Sequence, residues 1–264
     1  MFEVGPDIAT GKDDVLTRKK LAELNEARVQ LAGEKARADE LLHNMLPDTI
    51  AEELKRGKGV APRHHDSVTI MFTDFKGFTR FAEDTEPRTL VEELDRYFSA
   101  FDEIAERNGL EKLKTMGDAY MCAGGLPETN RTHAADACRA ALEFQAYMTR
   151  INAQREKMRL PRWELRIGLH TGPVMAGVVG KRKFTYDIWG DAVNIAALME
   201  SHGEPGRVVV SESTYQRIKD AFEAEPRGSV ETKNKGALDT YFLGQPKSGR
   251  AATRAGGDAQ APAK

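Results

Sequence analysis

The stretch Val68–Arg80 reads VTIMFTDFKGFTR and joins a strand-like run to a glycine turn. The run is mostly apolar from Val68 to Phe72 and ends in Thr73-Asp74, and the turn follows at once. A carboxylate in this place suits Mg²⁺ with phosphates, because Mg²⁺ prefers oxygen ligands and is usually held by one or two carboxylates plus substrate phosphates. A single aspartate at a strand end is more often a structural turn residue, so Asp74 needs a second observation.

A second carboxylate, Asp118, lies in the turn of the segment EKLKTMGDAYMCAGG, which has the pattern of a β-hairpin. In a ferredoxin-like sheet the first strand and the central hairpin are neighbours, so Asp74 and Asp118 can converge. Two converging carboxylates suit a two-metal phosphoryl-transfer site. The turn over Phe75–Thr79 can aim backbone N–H groups at the phosphates, helped by the N-terminus of the helix that follows.

Strand-like and helix-like segments alternate from Ser67 onward. The first strand is followed by a helix over residues 88–108, which Gly109 ends, then by the hairpin and by a long helix over residues 132–157. The strand WELRIGLHTG comes next, and further strands and helices trail it. The order β-α-β-β-α-β predicts a ferredoxin-like α+β sandwich, which we assign to residues 59–244.

Residues 15–58 predict a long signalling helix and a short transducer element, separated by Pro47. A heptad seam fits the long helix, but charges at two a positions make it a weak coiled coil, which suits a two-state signalling stalk better than a rigid zipper. The alternative is an amphipathic helix that lies on the domain. The seam positions are Leu21, Leu24, Arg28, Leu31, Lys35, Ala38, Leu42 and Met45.

The composition indicates a globular protein with a charged surface, at 40% hydrophobic and 30% charged residues. A formal net charge of −2 gives no basic field that would indicate nucleic-acid binding. The two cysteines form no CxxC motif, and no apolar run approaches the ~20 residues of a membrane span. We therefore expect a cytoplasmic protein, with residues 1–14 flexible and the Ala/Gly/Pro-rich residues 245–264 disordered.

Five segments together resemble the catalytic domain of class III nucleotidyl cyclases. They are FTDFKGFTRFAE, EKLKTMGDAYMCAGGLPE, LRIGLHTGPVMAGVVG, YDIWGDAVNIAALMESHGEPGRVVVSESTY and NKGALDTYFL, in family order, between about Ser67 and Gly244. The stretch LLHNMLPDTIAEELKRG resembles the helical transducer element that precedes such domains. The resemblance implies a homodimer in which each of two sites is shared, with the metal carboxylates from one chain and the base-binding residues from the other.

The resemblance also implies a role for each matching residue. Asp74 and Asp118 would bind two Mg²⁺ (or Mn²⁺), and Asn194 would position the ribose. Arg166 and Lys233 would contact the triphosphate, and Lys114 and Asp187, with the neighbouring Ile188, would select the base. The residues expected to cradle phosphate through their backbone are Phe75, Lys76, Gly77, Phe78 and Thr79.

The base-selecting pair favours adenine on chemical grounds. Asp187 can accept a hydrogen bond from the exocyclic amine N6, and Lys114 can donate to the ring nitrogen N1. Guanine reverses that pattern, and buried unpaired polar groups discriminate strongly. One departure is Leu198, four residues after Asn194, where family members usually carry an arginine that neutralises the α-phosphate. We expect residue 198 to face the α-phosphate, so that its replacement by leucine slows turnover.

The favoured interpretation is an adenylyl cyclase that forms 3′,5′-cyclic AMP and pyrophosphate from ATP, with an upstream sensor or partner acting through the N-terminal helix. Leu198 supports the alternative of a weak or silent cyclase-like dimer that binds nucleotide or transmits a signal. The pair of metal carboxylates opposes that alternative. A third interpretation, guanylyl cyclase, is opposed by Lys114 and Asp187.

Overall fold

The computed structural model describes residues 9–57, 59–180, 183–232 and 236–247. These residues fall into two compact units that divide between Val60 and Ala61. Within the described ranges, no helix combines the length and the apolar character that crossing a bilayer demands. The prediction for Lys233 lies outside the described residues, as does most of the predicted C-terminal tail.

The first unit consists of two helices, α1 (Ala9–His43) and α2 (Asp48–Lys55). Helix α1 begins at Ala9, and residues 1–8 lie outside the described part, so the flexible segment predicted over residues 1–14 stays a prediction. Pro47 occupies the N-cap of α2, as its fixed φ favours a position at a helix start. The transducer element is predicted to extend to residue 58, whereas helix α2 ends at Lys55.

Polar side chains join α1 to α2 at the turn between them. His43 Nδ1 lies 2.5 Å from an Asp48 carboxylate oxygen, and Lys55 Nζ lies 3.0 Å from His43 Nε2. Lys55 also pairs with Asp39 of α1 at 3.1 Å. Several residues of the predicted heptad seam are more than half exposed: Leu21, Leu24, Leu31 and Met45. A coiled coil would bury them against a partner helix, and it stays a prediction.

The second unit is an eight-stranded sheet with helices on its faces. Its strands are β1 (Arg63–Phe75), β2 (Leu110–Met116), β3 (Ala119–Gly124), β4 (Leu165–Val179), β5 (Thr185–Trp189), β6 (Val208–Ser211), β7 (Phe222–Thr232) and β8 (Gly236–Pro246). Its helices are α3 (Phe78–Glu83), α4 (Pro87–Arg107), α5 (His133–Lys157), α6 (Asp191–Ser201) and α7 (Glu212–Ile218).

The strands lie in the order β2-β3-β1-β4-β6-β8-β7, and β5 pairs with β4 off this path. Strand β1 is antiparallel to both β3 and β4, so its end meets the β2–β3 hairpin on one side and β4 on the other. Only β4 and β6 pair in parallel among the described strands. The ferredoxin-like α+β prediction, preceded by a long N-terminal helix, is confirmed.

The two faces of the sheet bury different helices. Helices α4 and α5 cover the face that carries Phe75, Ile167 and Leu169, in one large apolar cluster. Because side chains alternate along a strand, Asp74, Arg166 and Gly168 point to the other face. Helix α6 packs there, and its backbone approaches so closely that a Cβ on Gly168 would lie 2.0 Å from the backbone nitrogen of Glu200.

We predict that Gly168→Ala destabilises the second unit by about 1–3 kcal/mol, since the added methyl must push α6 off β4. Thermal unfolding followed by circular dichroism would measure the loss. Gly177→Ala is the matched control on the same strand, because a Cβ there would meet Pro62 at an ordinary 3.4 Å. Equal unfolding temperatures for the two variants would show that α6 is not seated as described.

Candidate active site

Asp74 and Arg166 face each other across strands β1 and β4, where they are register partners. Arg166 Nη2 donates to Asp74 Oδ2 and lies 3.0 Å from Glu200 Oε1 on helix α6. All three side chains are at most one quarter exposed. Burial raises the pKa of Glu200 to about 7; Arg166 acts to lower it, while the charges of Asp74 and Asp118 raise it further.

Asp118 reaches the same corner of the sheet from the β2–β3 turn. The backbone N–H of Phe75 donates to Asp118 Oδ2 at 3.3 Å, which ties the turn to the end of β1. Burial and the charge of Asp74, together with a hydrogen bond between the two carboxyl groups, raise the pKa of Asp118 to about 6. The predicted convergence of Asp74 and Asp118 is therefore present in the fold.

The turn after Asp74 is only partly available to bind phosphate through its backbone. The N–H of Phe75 is used by Asp118, and the N–H of Lys76 donates to the Glu164 carbonyl at 2.9 Å. The backbone predicted to bind phosphate is therefore reduced to the N–H groups of residues 77–79. Gly77 precedes α3 with φ of 73°, a conformation that glycine adopts without strain, and the described residues provide no side-chain cap for that helix.

Aromatic packing explains why the turn is flanked by phenylalanines. The indole of Trp163 lies 4.8 Å from the ring of Phe75, 6.0 Å from Phe78 and 4.6 Å from Phe81, measured between ring centroids. Asn152 of α5 binds both the N–H and the carbonyl of Trp163, at 2.8 and 2.7 Å. The phenylalanine side chains thus anchor the turn to the core.

Lys114 and Asp187 form an ion pair, with Lys114 Nζ 2.5 Å from Asp187 Oδ2. Asp187 is 16% exposed, and its other oxygen accepts the N–H of the buried Ile188 at 2.9 Å. A register shift in β2 between Lys112 and Lys114 turns these two lysines to opposite faces. Lys112 pairs with Asp102 on the α4 face, and Lys114 shares the face of Asp74.

Asn194 and Leu198 lie one turn apart on α6 in different surroundings. Asn194 is exposed, in keeping with a contact to substrate. Leu198 is half-buried and packs against an apolar cluster that includes Val209, Val230 and Phe242. Leu198 therefore contributes to the packing between α6 and the sheet, and the expectation that residue 198 faces the α-phosphate stays a prediction.

The donor set fits a magnesium or manganese ion that also binds a substrate phosphate. Among the described residues no cluster of three or more histidine, cysteine or acidic side chains forms a closed metal cage. Asp74 and Asp118 instead supply two carboxylates, the usual protein share for Mg²⁺ bound with a triphosphate. Burial and then the charge of Asp74 raise the pKa of Asp118, and a bound cation would favour the charged form of both carboxylates.

Residues 60–245 match the family described as the adenylate and guanylate cyclase catalytic domain. The chain belongs to this cyclase family. The domain is therefore a nucleotide cyclase catalytic domain, as the five sequence segments indicated. Residues 9–54 match a second family, described as heme NO binding associated.

Known cyclases of both nucleotide types are similar to the chain. An adenylate cyclase of Mycobacterium bovis is 42% identical over 224 residues, which cover 84% of this chain and 50% of the relative. The guanylate cyclase domain of RhGC from Catenaria anguillulae superposes with a TM-score of 0.66 at 35% identity, over 70% of this chain and 100% of that one. The adenylyl cyclase CyaB of P. aeruginosa gives 0.67 at 26% identity, over 71% and 98%.

The chain spans about half the length of the mycobacterial relative. Similarity to the cyclase family extends over the residues that carry the site, but the relatives include both adenylate and guanylate cyclases. The comparisons therefore indicate the reaction class, but they do not distinguish adenine from guanine. That choice depends on the residues of this chain.

Sequence reasoning missed Glu200 and the anchoring role of Trp163. Both residues lie inside segments that the sequence identifies as motifs or strands. At those positions, neither a glutamate nor a tryptophan by itself indicates a functional role. The sequence places Glu200 six positions after Asn194 on one predicted helix. Its contact with Arg166 depends on the close packing of α6 against Gly168, which the sequence does not reveal. The segment WELRIGLHTG predicts a strand that includes Trp163, but β4 begins at Leu165, so Trp163 precedes the strand.

We predict that Asp118→Asn raises the unfolding temperature of the metal-free protein above pH 6. The folded-state pKa of Asp118 is raised to about 6, so its ionisation opposes folding. This penalty is complete above pH 6 and vanishes below about pH 4, near the unfolded pKa. Thermal melts in chelator at pH 4, 6 and 8 would measure it.

Asp66→Asn is the control for this pH series, because the Asp66 side chain is 98% exposed. The unfolding temperature of the Asp118→Asn variant should rise relative to that of the parent between pH 4 and 6. The Asp66→Asn variant should have the unfolding temperature of the parent at each pH. A constant offset for Asp118→Asn at all three values would contradict a carboxyl with a raised pKa.

Proposed function

We propose that the chain is an adenylyl cyclase that converts ATP to 3′,5′-cyclic AMP and pyrophosphate. The ribose 3′-oxygen would attack the α-phosphorus, the bond to the β-phosphate would break, and the 3′-hydroxyl proton would be released. The observation that carries the choice of ATP is the ion pair of Lys114 and Asp187. The relatives of both nucleotide types support the reaction class alone.

The ion pair supports adenine because each partner holds the other in one orientation. Asp187 keeps a carboxylate oxygen beside Lys114 and accepts the N–H of Ile188 with the other, so its acceptor is preorganised. Adenine would give its amine N6 to Asp187 and accept at N1 from Lys114. Guanine would place its O6 acceptor against the carboxylate and its N1–H donor against the ammonium, leaving buried groups unpaired.

Asp74 and Asp118 would hold two divalent cations, Mg²⁺ or Mn²⁺, beside the triphosphate. When bound, these cations would lower the pKa of the 3′-hydroxyl and neutralise the phosphates. Residues 77–79 would offer backbone N–H groups to the phosphates, and Arg166 would add a fixed guanidinium at the same corner. Asn194 would hold the ribose from α6. Lys233, expected to contact the triphosphate, keeps that role as a prediction.

A homodimer is supported by an exposed apolar surface on the β4–β5 hairpin. Met175 and Trp189 are register partners there, and both are about two-fifths exposed. Val179 and Phe184 add further exposed apolar area at the end of the hairpin. Apolar residues gathered on one exposed hairpin mark an interaction surface. A second copy would cover it and would complete each site with the base-binding residues of one chain and the carboxylates of the other.

The N-terminal helix would connect the catalytic dimer to a sensor. Exposed leucines along α1 suit a paired helix, and the match to the heme NO binding associated family supports a sensor partner. Leu198 supports slow turnover in this enzyme, since it packs in an apolar cluster where relatives usually carry an arginine. Loss of one preorganised donor typically costs about 10²–10³ in rate.

We predict that Asp74→Ala and Lys114→Ala are each inactive alone and active when mixed. If sites are shared, a mixed dimer has one site with all its groups intact, so random exchange should restore about a quarter of the parent activity. Production of cyclic AMP from ATP with Mn²⁺ would measure it. Subunit exchange is checked with two affinity tags.

Asp66→Ala and Lys112→Ala are the matched controls for the mixing experiment. Asp66 is exposed, and Lys112 faces α4 on the opposite side of the sheet from Lys114. Both controls should keep the parent activity. A mixture that exchanges subunits and stays inactive would contradict the shared site, and an active Asp74→Ala protein would contradict the metal assignment.

We predict that Lys114→Glu combined with Asp187→Cys shifts preference from ATP towards GTP. The donor and acceptor offered to the base are then reversed, and a hydrogen bond to a charged group is worth roughly 1.5–3 kcal/mol, so kcat/KM for ATP should fall at least about tenfold. Steady-state kinetics with each nucleotide would measure the shift. An unchanged ATP-to-GTP ratio in the folded variant would mean that the base is read elsewhere.

A further inference from the structure

Glu200 brings a third carboxylate to the corner occupied by Asp74 and Asp118. Its side chain is 13% exposed, and Oε1 lies 3.0 Å from Arg166 Nη2. The same nitrogen of Arg166 donates to Asp74 Oδ2. One guanidinium nitrogen is therefore shared between a carboxylate expected to bind a cation and a carboxylate with no assigned role.

The backbone fixes Glu200 in this place. Strand β4 carries Arg166 two residues before Gly168, and the missing side chain of Gly168 lets the backbone of α6 at Met199 and Glu200 press onto the strand. Arg166 Nη1 also reaches the carbonyl of Ser201 at 3.5 Å, so the end of α6 meets the guanidinium at two points. The backbone at Glu200 therefore stays close to Arg166 as long as α6 remains packed on β4.

Arg166 and a divalent cation compete for the same carboxylate. In the fold as it stands, the positive charge beside Asp74 is the guanidinium of Arg166. A cation that binds Asp74 Oδ2 would compete with that contact, because two positive charges beside one carboxylate repel each other. Without a second carboxylate to bind, Arg166 would either stay at Asp74 and repel the cation or move away from the site. The ion pair of Glu200 Oε1 with Arg166 Nη2 lacks hydrogen-bond geometry, and Arg166 Nε has no hydrogen-bond partner among the described residues, so the pair can still form further hydrogen bonds.

We propose that Glu200 is a positioning residue that takes Arg166 from Asp74 when a cation binds. Glu200 then keeps the guanidinium next to the site, where it contacts the triphosphate. This inference rests on the proposed function, since it assigns Asp74 to the cation and Arg166 to the phosphates. Glu200 acts through Arg166 and does not contact the reacting atoms.

Mn²⁺ binding without nucleotide tests the proposal in a double-mutant cycle. The proteins are the parent, Glu200→Gln, Arg166→Met and the double variant, each titrated with Mn²⁺ at pH 8 and followed by electron paramagnetic resonance of the free ion. Glu200→Gln should weaken Mn²⁺ binding about fivefold in the parent, because Arg166 then has Asp74 as its remaining carboxylate. In the Arg166→Met background the same substitution should change the affinity less than about twofold.

An equal weakening in both backgrounds would show that Glu200 acts on the cation through its own charge, and it would overturn the proposal. No weakening in the parent background would overturn it as well. Glutamine preserves the shape of the side chain, and thermal melts of all four proteins check that α6 stays seated. Arg166→Met should by itself tighten Mn²⁺ binding, because the competing cation is gone.

Kinetics supply a second measurement that separates this proposal from the proposed function. Glu200→Gln should raise KM for ATP by more than it lowers kcat, because a misplaced Arg166 weakens ground-state contacts to the triphosphate. A fall in kcat with KM unchanged would contradict the positioning role. If the parent makes no cyclic nucleotide, the proposed function fails, while the Mn²⁺ cycle still decides the role of Glu200.

Discussion

Two aspartates that repel each other share one corner of the sheet, and the surrounding structure is arranged to hold them there. Asp74 lies one residue before the end of strand β1, and Asp118 lies in the neighbouring hairpin turn, where burial and the charge of Asp74 raise its pKa to about 6. Such a pair is costly without a positive charge. Arg166 supplies one across the strand, and a divalent cation would supply more. The repulsion between the two carboxylates therefore favours the binding of a cation at this corner.

The Lys114–Asp187 pair, which we propose reads the base, depends on a local irregularity of the sheet. In a regular strand Lys112 and Lys114 would point to the same face. The register shift between them sends Lys112 to Asp102 on the helix-covered face and Lys114 to Asp187 on the site face. One extra residue in β2 therefore brings a donor to the face that also holds Asp74, and that is a typical use of a bulge near a functional site.

Much of the fold followed from local patterns. The apolar run before Asp74, the helix ended by Gly109 and the Gly-Asp turn of the hairpin each carry their signal within a few residues, and the strand order then brings Asp74 and Asp118 together. The rest depends on contacts that no local pattern encodes. Leu198 packs into a cluster built by distant strands, and Glu200 meets Arg166 because Gly168 admits the helix backbone. The Phe75 and Lys76 amides are used by Asp118 and Glu164, which sequence spacing could not reveal.

The choice of base is the central claim, and a competition between the two nucleotides tests it most directly. The purified chain is given equal ATP and GTP with Mn²⁺, and the two cyclic products are separated and quantified early in the reaction, so that their ratio equals the ratio of kcat/KM values. Because the Lys114–Asp187 pair matches adenine and mismatches guanine, cyclic AMP should exceed cyclic GMP at least about tenfold. Cyclic GMP in equal or greater amount would contradict the account.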